Sequence, residues 1–311
     1  VEHFADRLAR AVRRAASPIC VGLDPQWERL PEDLRRAGGE SYAEKAAVYV
    51  QFCNGVSDVV SPLVAVVKVQ AAFFEELGPS GMAAMHQAVT HAQKRGLLVI
   101  IDGKRNDIGS TALAYARGYL GPAQSAWHAD ALTVSPYLGD DSLTPFVEIA
   151  QQRGAGIFVL VKTSNPGGRM LQDLECAGRP LYRHLGEHVE RLAAMTAGEC
   201  GYGLVGAVVG ATFPEQLAEL RRAMLHTWLL VPGYGSQGGK AADVIAAFDA
   251  AGMGAIVNNS RGIIFAHERP EYAARFGPAG WQKAVEAATR QMMEELAAGG
   301  WGLGLGGGAV Q

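Results

Sequence analysis

Eight short apolar runs recur along the chain, most of them followed by a stretch of helical periodicity. They are PICVGLDP (18–25), LVAVVKVQ (63–70), GLLVIID (96–102), ADALTVSPY (129–137), GIFVLVKTS (156–164), GLVGAVVGAT (203–212), TWLLVPGYG (227–235) and GAIVNNSRG (254–262). Each is a near-continuous series rich in Val, Leu and Ile, the pattern of a strand buried on both faces. Between them, segments such as GMAAMHQAVTHAQKRG and PEQLAELRRAML carry helical spacing and a charged face. Strand and helix in alternation imply parallel βαβ units, and eight units point to an α/β fold, a single-domain (β/α)8 TIM barrel over residues 1–296. An open doubly wound sheet is the rival. Against it, the first strand-to-helix turn, GLDPQWERLP, lacks the glycine fingerprint of a dinucleotide site. Polar residues also close nearly every run: Asp24, Lys68, Asp102, Lys104, Ser135, Ser164, Gln237 and Arg261. In a barrel those ends converge on one face, where active sites lie.

Two segments stand apart. Residues 165–202 are long for one crossover and are expected to hold an irregular loop and then a helix. Residues 297–311, AAGGWGLGLGGGAVQ, form a Gly-rich tail expected to be flexible, since such a composition cannot bury a core.

Composition removes several function classes. Charged residues are 19% of the 311 and the formal net charge is −3, so the basic footprint of a nucleic-acid binder is absent. No run of 18 apolar residues suggests a membrane span. The N-terminal stretch VEHFADRLARAVRRAASPICVGLDP reads as an amphipathic helix entering a strand, not as a signal peptide. Cys20, Cys53, Cys176 and Cys200 are scattered without CxxC spacing, which favours reduced thiols and a cytoplasmic location over a disulfide set. No HxH or HExxH spacing suggests a metal, and His86, His128 and His226 read as ordinary surface or core residues.

Two constellations carry chemistry. The first is VIIDGKRNDIGST (99–111) together with Lys68. Strand alternation puts Asp102 and Lys104 on one face. Adjacent parallel strands lie about 4.8 Å apart, so Lys68 at the end of the second run can touch Asp102. Asp107 follows in the loop before a helix, giving the series Lys, Asp, Lys, Asp. A structural ion-pair network plugging the barrel mouth is the plain reading. Burying such charges is costly, and an apolar substitute is often as stable, which leaves catalysis as the equal alternative. The second constellation is VPGYGSQGG (231–239) after the seventh run and NNSRGI (258–263) after the eighth. Barrels commonly bind phosphate there, and Gln237, Arg261 and helix-start amides supply donors; the alternative is that the glycines only serve tight turns. Within KTSNPGG (162–168), Ser164 reads either as a donor to a heterocycle edge or as a local turn cap. The facing of Lys162 is undecidable from parity.

DGKRNDIGST resembles the DxKxxDIxxT signature of orotidine 5′-monophosphate decarboxylases, and the resemblance extends over nearly the whole chain. VGLDP, VVKVQAAFFE, VKTSNPGG, PGYGSQGG and NNSRGI match the motifs of the first, second, fifth, seventh and eighth strands in order. The wording is most similar to the longer bacterial branch (type 2), with Gly103 where that branch carries Ala and Asn106 where it carries Gly. The resemblance implies decarboxylation of orotidine 5′-monophosphate to UMP and CO2 in pyrimidine biosynthesis, by a homodimer of barrels using neither metal nor organic cofactor. It assigns Lys104 as proton donor to C6, Asp102 to the neighbourhood of the departing carboxylate, and Lys68 to bridging Asp102 and the ribose. Asp107, with Ile108 and Thr111, would reach the neighbouring subunit's site. Asp24 would bind ribose hydroxyls, Ser164 the pyrimidine, and Gln237 and Arg261 the phosphate.

Three rivals are weighed beside it. Hexulose-phosphate synthases and ketogulonate-phosphate decarboxylases share a DxKxxD core but use Mg2+ on an enediolate. A Schiff-base aldolase would need an uncharged lysine, which a neighbouring Asp102 disfavours. A silent phosphate-binding barrel acting as a sensor has no need for the intact Lys–Asp–Lys–Asp set.

Overall fold

The computed structural model describes residues 2–122, 124–235 and 238–304. Eight parallel strands close into a barrel: β1 (Ile19–Leu23), β2 (Val66–Gln70), β3 (Leu98–Arg105), β4 (Ala131–Val134), β5 (Gly156–Lys162), β8 (Val205–Val209), β9 (Leu229–Val231) and β10 (Ala255–Asn259). β10 pairs with β1 and closes the ring. A two-residue hairpin, β6 (Glu175–Cys176) and β7 (Arg179–Pro180), interrupts the fifth crossover before helix Leu181–Met195. The βα rhythm thus continues through the whole ring, and residues 165–202 contain short helical turns, that hairpin and one long helix.

Period-two alternation sorts the strand residues into two apolar layers. Val67, Val69, Val99, Ile101, Val159 and Val257 face outward, against helices that contribute Phe52, Phe74, Phe146 and Trp281. Cys20, Val66, Ile100, Ala131, Phe158 and Ile256 face inward and fill the barrel. The amino-terminal end of the barrel is stoppered by helix Phe4–Ala15, whose Phe4, Leu8 and Val12 join the interior cluster. Phe4 meets Phe158 edge-on with ring centroids 6.1 Å apart. A Cβ on Gly156 would lie 2.3 Å from the Phe4 ring, so the small residue there makes room for the plug.

The glycine-rich tail expected from residue 297 is docked over its first half. Helix Trp281–Ala298 carries on to 298. Trp301 packs at 6.2 Å from the Phe248 ring, and its indole N–H donates to the Gly252 carbonyl at 3.0 Å. One bulky aromatic gives this stretch the apolar anchor that its glycines lack. Residues 305–311 lie outside the described residues. No described helix is long and apolar enough to cross a membrane.

Candidate active site

The inward parity that fills the barrel continues upward into polar residues. Val66 is followed two residues on by Lys68, Ile100 by Asp102, Ala131 by Thr133 and Ile256 by Asn258. Each lies one layer above an apolar residue on the same strand face, so the carboxyl-terminal end of the barrel acquires a polar floor without disturbing the core. Above it opens a cavity of about 520 Å³, whose walls include Asp24, Lys68, Asp102, Lys104, Thr133, Ser164 and Arg261.

Asp102 is the hub of that floor. Its Oδ2 accepts from Lys68 Nζ at 2.8 Å and from Gln70 Nε2 at 3.0 Å. Its Oδ1 accepts from Lys104 Nζ at 2.6 Å and from the Thr133 hydroxyl at 2.9 Å. Burial opposes the charge on Asp102, but Lys68 and Lys104 outweigh it and hold the carboxyl well below the usual carboxylate range. Burial likewise works against the ammonium of Lys68, and Asp102 and Asp24 overcome it, raising the group above the ordinary lysine range. Lys68 is almost completely buried, whereas the side chain of Lys104 is 47% exposed and projects into the cavity.

Lys104 reaches this position through an irregularity in β3. Ile101 pairs with Leu132 and Arg105 with Val134, so β3 carries two more residues than β4 between those pairs. Lys104 takes up the slack with φ = +45°, a left-handed conformation rare for a residue with a side chain. Thr133 fixes it there: its hydroxyl donates to Asp102 and accepts from the Lys104 amide at 2.9 Å. Arg105 anchors the far side of the bulge, pairing with Glu75 and donating to Tyr119 Oη from Nε at 3.1 Å.

The glycine-rich turn after β9 folds on itself. Gly233, Gly235 and Gly238 have φ of +99°, +69° and +97°, conformations that glycine adopts without strain. Gly235 N–H donates to the Gly239 carbonyl at 2.8 Å. After β10 the chain enters the short helix Arg261–Ile264. There the Gly262 amide already donates to Asn259 Oδ1, and the Ile263 amide to the Ser260 carbonyl. The donor that this end offers the cavity is therefore the Arg261 guanidinium rather than a row of unpaired amides. Next to this end, just past the neighbouring strand β1, Asp24 Oδ1 is buried without a hydrogen bond, 3.9 Å from Lys68 Nζ.

Similarity to known proteins agrees with this geometry. The sequence model of the orotidine 5′-phosphate decarboxylase / HUMPS family matches residues 17–276. The chain belongs to that family. It is 57% identical over 297 residues to the orotidine 5′-phosphate decarboxylase of Rhodopirellula baltica, covering 94% of this chain and 98% of the relative. Among solved structures, a putative orotidine 5′-phosphate decarboxylase from Streptomyces avermitilis superposes with TM-score 0.77 at 38% identity, covering 96% of both chains. Leishmania donovani OMP decarboxylase superposes with TM-score 0.74 at 33% identity, covering 96% of this chain and 98% of the other.

In this decarboxylase-family barrel, six of the residues expected from the sequence meet at the cavity: Asp24, Lys68, Asp102, Lys104, Ser164 and Arg261. Gln237 lies outside the described residues. Asp107, Ile108 and Thr111 stand on the outer lip and do not line the cavity of their own chain; Asp107 Oδ1 accepts from the Ile108 amide at 2.8 Å, and Ile108 is 55% exposed. Ser135, expected to close the fourth strand at the site, instead lies one residue beyond β4 and does not line the cavity. Its place is taken by Thr133. Thr133, Gln70, Thr163, Tyr234, Asn258 and Ser260 were not anticipated on the cavity wall. Thr133 and Asn258 could have been found by carrying the strand parity through each run to its end. The two departures from the family wording are accommodated locally. A Cβ on Gly103 would meet only the Arg105 side chain, at 3.3 Å, while Asn106 leaves its buried Oδ1 without a hydrogen bond.

Proposed function

We propose that the chain converts orotidine 5′-monophosphate to UMP and CO2 by stabilising a carbanion at C6 and protonating it from Lys104. The observation that carries the reading is the Lys68–Asp102–Lys104 arrangement. One saturated carboxylate fixes two ammonium groups at 2.8 and 2.6 Å, and of the two Lys104 is the one whose side chain is largely exposed to the cavity. Loss of CO2 from C6 leaves an sp2 carbanion that the ring delocalises poorly. A point charge already in place needs no reorganisation as that carbanion forms, so the electrostatic contribution can dominate. Asp102 keeps Lys104 aimed at the reacting carbon and stands where the departing carboxylate would lie. Lys68, held cationic by its two acidic neighbours, is poorly suited to forming a Schiff base.

The remaining assignments follow the substrate outward. Asp24, with its unsatisfied oxygen, suits the ribose hydroxyls; Ser164 suits the pyrimidine edge; Arg261 and Gln237 suit the phosphate. Rate enhancements at the upper end of the enzymatic range correspond to about 20 kcal/mol of barrier, more than one lysine supplies. Binding energy from the distant phosphate can be used to assist chemistry at C6. The reading includes a homodimer in which Asp107, Ile108 and Thr111 enter the partner's site. Supporting this, a second opening of about 550 Å³ lies beside Lys104, walled by Gln70, Phe73 and Glu75. On the same side of the barrel Ile108, Tyr137 and Leu138 expose apolar surface. All four cysteines are free thiols, as suits a cytoplasmic enzyme.

The test is to add orotidine 5′-monophosphate to metal-free protein and follow the loss of its ultraviolet absorbance. Turnover that survives excess EDTA is expected; turnover that depends on Mg2+ would favour the enediolate chemistry instead. Lys104→Ala is expected to abolish turnover while UMP still binds, and unchanged turnover in that variant would refute the assignment.

A further inference from the structure

Lys162 closes β5, and its side chain is completely buried, yet it contributes nothing to the cavity floor. A register shift between Leu160 and Lys162 turns it out of the inward series. Its ammonium pairs with Asp173 and lies between the rings of Phe213 and Tyr182, 4.6 and 5.4 Å from their centroids. Residues 163–172 therefore form a loop whose two ends are joined by a shielded ion pair. Immediately inside it is a second tie: the Thr163 amide donates to Gln172 Oε1 at 3.0 Å, and Gln172 Nε2 donates to Thr163 Oγ1 at 2.8 Å.

The loop needs such ties because packing does not hold it. From Thr163 to Leu181 no residue is buried. Its large apolar side chains face outward, with Met170 80%, Leu171 37% and Leu174 56% exposed. The same loop supplies Thr163, Ser164, Asn165, Gly168 and Gln172 to the cavity wall. A wall without an apolar anchor keeps its shape only through its polar fastenings, and a misplacement of about 1 Å at a binding group can cost of the order of a hundredfold.

We propose that Lys162 and Asp173 are a positioning pair: without touching the substrate, they clamp loop 163–172 and so set how tightly the site holds the base of its nucleotide. This rests on the decarboxylase reading, in which Ser164 faces the pyrimidine. The ribose and phosphate contacts come from Asp24 and Arg261, just beyond β1 and β10, and lie outside the clamp.

The experiment compares the direct binding of UMP and of ribose 5-phosphate, by calorimetry, in the wild type and in Asp173→Asn. The substitution keeps the side chain's size and removes its charge. UMP affinity is expected to fall about tenfold or more, with ribose 5-phosphate affinity unchanged. Asp173→Glu, which retains a carboxylate, is expected to restore much of the UMP affinity. Unchanged UMP binding in Asp173→Asn, or an equal loss for both ligands, would overturn the proposal. Should Asp173→Asn yield little folded protein, Lys162→Met combined with Asp173→Asn carries the same expectation, because it buries no unpaired ammonium. The decarboxylase reading fails separately, through absence of orotidine 5′-monophosphate turnover in the wild type.

Discussion

Asp102 accepts from Lys68, Gln70, Lys104 and Thr133, two donors to each oxygen, so its hydrogen-bonding capacity is filled by groups of fixed position. Removing its charge would leave two ammonium groups side by side, one of them buried. Breaking a buried pair in this way costs about 3–5 kcal/mol, so Asp102→Asn is expected to lower stability by roughly 3 kcal/mol at neutral pH. The sign with pH follows from the lowered carboxyl. Its contribution is complete above the unfolded carboxylate value of about 4 and is lost as pH falls through the lower folded value. Lys68 behaves oppositely: raised in the fold, it contributes fully below the unfolded lysine value of about 10 and loses that contribution as pH rises through the folded value. Urea midpoints should therefore show a constant gap between wild type and Asp102→Asn from about pH 5 to pH 9, narrowing below about pH 4. A gap that closes between pH 5 and 7 would contradict the assignment.

Elements contribute through where they end. β3 places Asp102 by regular alternation, then departs from regularity to bring Lys104 back onto the same carboxylate. β10 hands the chain to a helix of only four residues, which leaves Arg261 as the charged donor at that end. Arg261→Ala is expected to lose most activity toward orotidine 5′-monophosphate. In the wild type, added phosphite dianion should accelerate decarboxylation of the truncated nucleoside, because a bound dianion can assist chemistry at a distance. Absence of any phosphite effect would count against phosphate-driven assistance. At the other end of the barrel the plug helix depends on a missing side chain. Gly156→Ala would press a methyl into the Phe4 ring, and overpacking of this kind costs about 1–3 kcal/mol. A lower melting temperature with unchanged kcat is expected, since the clash lies at the end remote from the site.

At the scale of the molecule, ring closure brings residues 24, 68, 102, 164 and 261 to one cavity although they span most of the chain. Asp107, Ile108 and Thr111 line neither this cavity nor the second opening beside Lys104. If a second copy fills that opening, Lys104→Ala and Asp107→Ala damage different parts of one composite site. Mixing the two inactive variants under conditions that exchange subunits should regain activity, since a mixed dimer contains one site with both residues intact. Recovery is measured as turnover of orotidine 5′-monophosphate against each variant alone. No recovery, despite demonstrated exchange, would place Asp107 within its own chain's site.

The barrel was legible because its cause is local and repeated. Continuous Val, Leu and Ile runs, nearly all closed by a polar residue, can bury both faces only as parallel strands, and period-two alternation carries Lys68 and Asp102 inward with the core residues below them. Lys104, Ser164 and Arg261 were legible for the same reason, as polar ends of apolar runs. What the linear pattern could not express is any departure from alternation and any contact between distant loops. The bulge that turns Lys104 back toward Asp102 and the shift that sends Lys162 outward to Asp173 arise where the register between neighbouring strands slips, and Trp301 docks the glycine-rich tail through a contact with a distant loop. Residue order alone determined the strands, the helices and the charge-bearing positions. Which charges touch was decided by the closed ring, because strand register and loop closure are properties of paired segments and not of any one of them.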